Sequence, residues 1–181
     1  YRPIIEYGAE VWWPGAAVLD KLEILQKRVC KWSLGCGSTT VDEVVLGEVD
    51  VPPVESRLVR ARLGWAGVVR CAVEGSIVSR CSRMVVRGKG NEFTWRKVME
   101  RSLREVELVD ELVQLRPVSV EEERRAAVDE WKGRVKGSVR ERSEREWKMR
   151  LCTKVKAAVY LDLKQKPGWE EYLGREEFER G

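Results

Sequence analysis

The chain has 181 residues, 43% of them hydrophobic and 35% charged, with eight Trp, five Cys and no His. Without an imidazole it cannot by itself supply a Ser-His or Cys-His nucleophile, a histidine general base or a zinc site with a His ligand. The net charge is only +4, but it is uneven: residues 57–101 carry 11 basic and 3 acidic side chains, against 5 and 9 in residues 1–56 and 18 of each in residues 102–181.

This length and apolar content suit one or two small domains with a real core. The cysteines, at positions 30, 36, 71, 81 and 152, match neither a disulfide framework nor a CxxC knuckle and point to a reducing compartment. No apolar run approaches the ~20 residues that span a bilayer, and the N-terminus lacks a signal-peptide pattern. The sequence therefore reads as a soluble intracellular protein with no membrane partner. The Tyr1 start suggests a fragment of something longer.

Helical periodicity dominates from residue 16, and strand alternation is nowhere sustained. After Pro14-Gly15, the positions Val18, Leu22, Leu25, Val29 and Trp32 recur at spacings of 4, 3, 4 and 3. They predict the buried face of a helix that ends at Gly35. Thr39 and Thr40 are placed to cap a short helix stopping near Gly47. Pro52-Pro53 then opens a longer helix, with Leu58, Ala61, Trp65, Val68 and Ala72 along one side. A short helix is expected over 77–86, and Gly88-Lys89-Gly90-Asn91 is the clearest break.

Beyond that break, Thr94 can cap a helix with Val98, Leu103, Val106, Val109, Leu112 and Val113 inside, ending before Pro117. Ser119 and Glu122 have capping-box spacing and introduce a long charged helix through Trp131, Val135 and Val139. Residues 140–146 have no apolar member and read as a solvated face. Apolar periodicity resumes at Trp147, Leu151, Val155 and Val159, then breaks at Pro167-Gly168. The expectation is an all-α fold: a helical unit at 1–87, a helical extension at 92–173 and a frayed tail at 174–181.

One string is far more specific than periodicity. Tyr1-Arg2-Pro3-Ile4-Ile5-Glu6-Tyr7-Gly8-Ala9-Glu10-Val11-Trp12, followed by Leu22-Glu23-Ile24-Leu25-Gln26-Lys27-Arg28 and Leu34-Gly35, closely resembles the segment just after the palm of reverse transcriptases from non-LTR, LINE-type (Jockey-like) retrotransposons. Thr39-Thr40, Val45-Leu46-Gly47-Glu48 and Pro53-Val54-Glu55-Ser56-Arg57 continue the resemblance in order over residues 1–70. A weaker match covers Lys148 to Tyr160, then Lys164 and Glu171-Tyr172-Leu173. Residues 74–146 carry no motif of the family.

The resemblance implies the thumb and post-thumb region of an RNA-directed DNA polymerase, a non-catalytic part that grips an RNA/DNA template-primer duplex beside the palm and fingers of the same polypeptide. It also implies residence in the nucleus and cytoplasm. The family's catalytic aspartate pair lies upstream of such a segment and its Cys-Cys-His-Cys cluster downstream. Neither occurs here, so the chain needs no cofactor of its own, while the parent polymerase is expected to use Mg.

Rigid helices presenting Arg and Lys to phosphates hold a duplex without reading bases. The candidates are Lys27, Arg28 and Lys31 on the first helix and Arg57, Arg60, Arg62 and Arg70 on the longer one. Each is equally explicable as the polar face of an amphipathic helix. Tyr7, Trp12 and Trp13 suit either base stacking or anchoring of the thumb onto the palm, the latter favoured; Trp32 and Trp65 read as core, and Trp131 and Trp147 as either one buried ridge or part of an interface, the ridge favoured. Carboxylate pairs such as Asp42-Glu43 point about 100° apart on a helix and do not converge on a metal. The competing function is a helical protein-interaction module using the charged helix 120–150 without nucleic acid.

Overall fold

The computed structural model describes residues 6–10, 12, 14–80, 95–164 and 166–168. The fold is all-α, 71% helical, with no strand among the described residues. Two compact units form, one from residues 1–14 and 55–142, the other from 15–54 and 143–181. Each combines sequence from both sides of the Gly88–Asn91 break, which itself lies outside the described residues, as do Trp13, the Thr94 cap, the stretch 81–86 and the tail.

In the second unit, α1 (Ala16–Ser33) ends as its sequence predicts. Gly35 takes a left-handed φ of 64°, and the amides of Gly35 and Cys36 bond back to the carbonyls of Trp32 and Lys31, the pairing of a Schellman turn. The buried side of α1 differs from expectation. Gln26 and Cys30 face inward, and Gln26 donates to the Pro52 carbonyl at 3.1 Å. Val18, Leu25 and Trp32 are exposed, Trp32 by 84%. Periodicity locates an apolar face; it does not say what covers it.

Helix α2 (Asp42–Glu48) begins behind Val41 with no side-chain cap, so neither Thr39 nor Thr40 plays that part. Its first turn holds Asp42 and Glu43, where carboxylates complement the helix dipole. A small core gathers Trp147, Leu151 and Ala157, with Val41, Val44 and Tyr160 against it. Gly47 lies close against this core: a Cβ there would lie 2.9 Å from Trp147 Cζ2. The Trp147 indole N–H donates to the Glu43 carbonyl at 2.7 Å, and the Tyr160 hydroxyl donates to Glu48 Oε1 at 2.7 Å. Lys164, 4% exposed at its side chain, reaches the same Glu48 oxygen at 3.1 Å. The end of α2, at Gly47 and Glu48, and the segment bearing Tyr160 and Lys164 thus hold each other.

In the first unit, α3 (Val54–Arg70) buries Leu58, Val59, Arg62, Leu63 and Ala66, whereas Ala61, Trp65 and Val68 are only half-buried. The inward stripe is rotated by about one residue from the expected one. It meets α4 (Trp95–Glu105), α5 (Val109–Gln114) and the first part of α6 (Glu121–Cys152). Together they pack Leu63 and Ala66 with Leu103, Leu112, Trp131 and Val135.

The single helix expected before Pro117 is two. Glu107 takes a left-handed φ of 60°, and the amides of Glu107 and Leu108 bond to the carbonyls of Arg104 and Leu103. This is again a Schellman turn, here without glycine, so no turn residue announces it. Leu108 is buried, as the apolar contact of that motif requires.

Helix α6 has 32 residues, about 48 Å at 1.5 Å per residue. Its buried positions are Val128, Trp131, Val135, Val139, Ser143, Trp147 and Leu151, mostly four apart. Each four-residue step turns about 40° further round the axis, so the ridge winds along the helix. Ser143 continues it through the charged run. That run is therefore not solvated throughout: Ser143 is buried and Arg142 pairs with Glu105 at 2.6 Å.

Candidate nucleic-acid interface

On α1, two of the three basic candidates are engaged. Lys31 Nζ lies 2.8 Å from one Asp42 oxygen and Lys27 Nζ 3.4 Å from the other; Lys31 also donates to the Ser38 carbonyl at 2.9 Å. Burial works to raise the Asp42 pKa, but the Lys31 hydrogen bond and the charges of both lysines outweigh it and hold the carboxyl below its ordinary value. Arg28 is exposed.

On α3, Arg57 and Arg62 are buried. Arg57 Nε lies 2.6 Å from Glu6 Oε1, and Arg62 Nη2 donates to the Trp12 carbonyl at 2.7 Å, with the Trp12 indole N–H donating to the Tyr7 carbonyl at 2.8 Å. Burial brings the Arg62 pKa down to about 10, which leaves it charged at neutral pH. These two arginines fasten Glu6 and Trp12 to α3 from within. Tyr7 is 86% exposed; Trp12 is half-buried and Ala9 fully buried.

Arg60 and Arg70 are exposed. Arg70 Nη2 donates to the Val113 carbonyl at 3.2 Å, and Arg116 Nη1 donates to the same oxygen at 2.8 Å. Arg116 was not among the sequence candidates, because it follows α5 in a stretch without periodicity. On α4, Lys97, Arg101 and Arg104 are exposed at spacings of 4 and 3, one face of a helix, and have no ion-pair partner among the described residues. Their signal was legible, since they fall opposite the buried Leu103. By contrast the cations of α6 are largely spent on carboxylates: Arg124 and Arg125 on Glu121, Arg134 on Glu130 and Glu111.

The first unit carries 21 basic and 16 acidic residues in sequence, the second 13 and 14. The net positive charge falls in the first, which also bears the exposed Arg60, Lys97, Arg101 and Arg104, while Arg28 is exposed in the second. No group of three or more Cys, Asp or Glu that could hold a metal occurs among the described residues, and no described helix is long and apolar enough to cross a membrane. No family model, no curated protein and no solved structure matches the chain.

Proposed function

We propose that the chain is a non-catalytic C-terminal part of a non-LTR retrotransposon RNA-directed DNA polymerase and binds template-primer nucleic acid through exposed basic side chains of its helices. The observation that supports this reading is the ordered resemblance over residues 1–70. Its stretches hold one another: Glu6 to Arg57, Trp12 to Arg62, Lys27 and Lys31 to Asp42. The motif residues act as internal fastenings, and phosphate contact falls to Arg28, Arg60 and Arg70 from the sequence candidates, together with Lys97, Arg101, Arg104 and Arg116. The mechanism is positional, since two-metal phosphoryl transfer needs convergent carboxylates supplied by a palm. The test is binding to an RNA–DNA duplex across a salt series, because a grip on phosphates weakens as counterions compete.

A second reading, a protein-interaction module, has one observation in its favour: the exposed Val18, Leu25 and Trp32 on α1. Trp131 and Trp147 do not serve it, being buried. Association through α1 would survive high salt and be lost on Trp32→Ser.

A further inference from the structure

We propose that Arg70 and Arg116 form a clamp for one phosphodiester of a nucleic-acid backbone. The proposal rests on the nucleic-acid reading above and gives it a place. Arg70 ends α3, and Arg116 lies two residues beyond α5. Since Arg70 Nη2 and Arg116 Nη1 lie 3.2 and 2.8 Å from one carbonyl oxygen, the two nitrogens are no more than 6.0 Å apart. Two like charges this close repel, and among the described residues neither arginine has a carboxylate partner. Glu121, in the first turn of α6, is occupied by Arg124 and Arg125.

The Val113 carbonyl explains why the pair stays together. It lies in the last turn of α5, where carbonyls lack intrahelical donors and the helix dipole favours cations. Capping spends one donor of each guanidinium out of five, leaving the others for a further acceptor. The backbone reinforces the arrangement: the Val118 amide donates to the Cys71 carbonyl at 3.2 Å, tying the segment that bears Arg116 to the end of α3. Both arginines are exposed, so a duplex can reach them. A phosphodiester offers one negative charge and two unesterified oxygens, which suits two guanidinium groups already ordered before the ligand arrives. Such a contact positions a backbone and carries no sequence information.

The full chain with Arg70→Gln, Arg116→Gln and both would be titrated with a 20-base-pair RNA–DNA hybrid over a salt series, with Arg134→Gln as control because that arginine is already paired. Far-ultraviolet circular dichroism confirms folding, and the single variants report should the double variant unfold. Each loss is expected to reduce the steepness of log K against log salt by about 0.9, and the double loss by about 1.8, with no change for Arg134→Gln. Inorganic phosphate at matched ionic strength is expected not to displace the duplex. Wild-type binding whose slope is unchanged in the double variant, or duplex release by inorganic phosphate, overturns the clamp and leaves the nucleic-acid reading standing. Absence of wild-type binding overturns both.

Discussion

The Trp131 indole occupies the space that a side chain at Gly67 would need: a Cβ on Gly67 would lie 2.0 Å from Trp131 Cδ1, and the indole N–H donates to the Leu63 carbonyl at 2.7 Å. Leu63 is four residues before Gly67, one helical turn, so the bare glycine is what opens that carbonyl to the ring. Trp131 is 2% exposed and stands at the centre of the first unit's core.

Gly67→Ala should therefore destabilise the chain by about 2–4 kcal/mol, combining overpacking with a strained buried hydrogen bond. Gly133→Ala, mid-helix in α6 with nothing within 4 Å, should stabilise by about 0.5–1 kcal/mol from helix propensity alone. Urea unfolding of the two variants checks the contrast. Equal effects would contradict the packing described.

The Glu48 carboxylate makes a different kind of prediction, because it is shared by the Tyr160 hydroxyl and a buried lysine. Removing Lys164 as Lys164→Met leaves Glu48 charged and under-partnered, at a cost of about 3–5 kcal/mol. Pairing it with Glu48→Gln should restore a measurable part of that loss in a double-mutant cycle. Additive losses would show that the pair is not coupled.

The tryptophans separate by environment. Trp32→Ser should change stability by no more than about 0.5 kcal/mol, as exposed substitutions do, whereas Trp131→Ala should cost about 3–5 kcal/mol. Acrylamide quenching of variants retaining one or the other tryptophan should find Trp32 accessible and Trp131 protected.

Asp42 gives the pH dependence. Its folded pKa is lower than the ordinary 3.8, so folding favours the ionised form. The stabilisation is fully present above about pH 4 and is lost as pH falls through the depressed folded value. The melting-temperature gap between wild type and Asp42→Asn should therefore be larger at pH 7 than at pH 3. A gap that widens on acidification would reverse the assignment.

Much of this fold was legible where local chemistry decides it. Gly35 ends α1 where a left-handed residue is needed, and Trp131, Val135 and Val139 form the ridge that their spacing marks. The failures have a common source in tertiary context. Glu107 turns the chain in a conformation that favours glycine, which no propensity rule reveals. Arg62 looks like a surface cation in sequence and is buried because the Trp12 carbonyl accepts from it. Trp32 looks like core and is exposed. For the candidate interface, sequence pattern named the helix bearing Arg70 but not its partner Arg116, since the two meet only through the Val113 carbonyl.

The central claim is that the chain grips nucleic acid through phosphates, and the most direct measurement is its affinity for an RNA–DNA duplex from low to moderate salt. Four to six phosphate contacts predict little sequence preference and a log K that falls against log salt with a slope of about −4 to −5. No binding at low salt, or an affinity indifferent to salt, would contradict it.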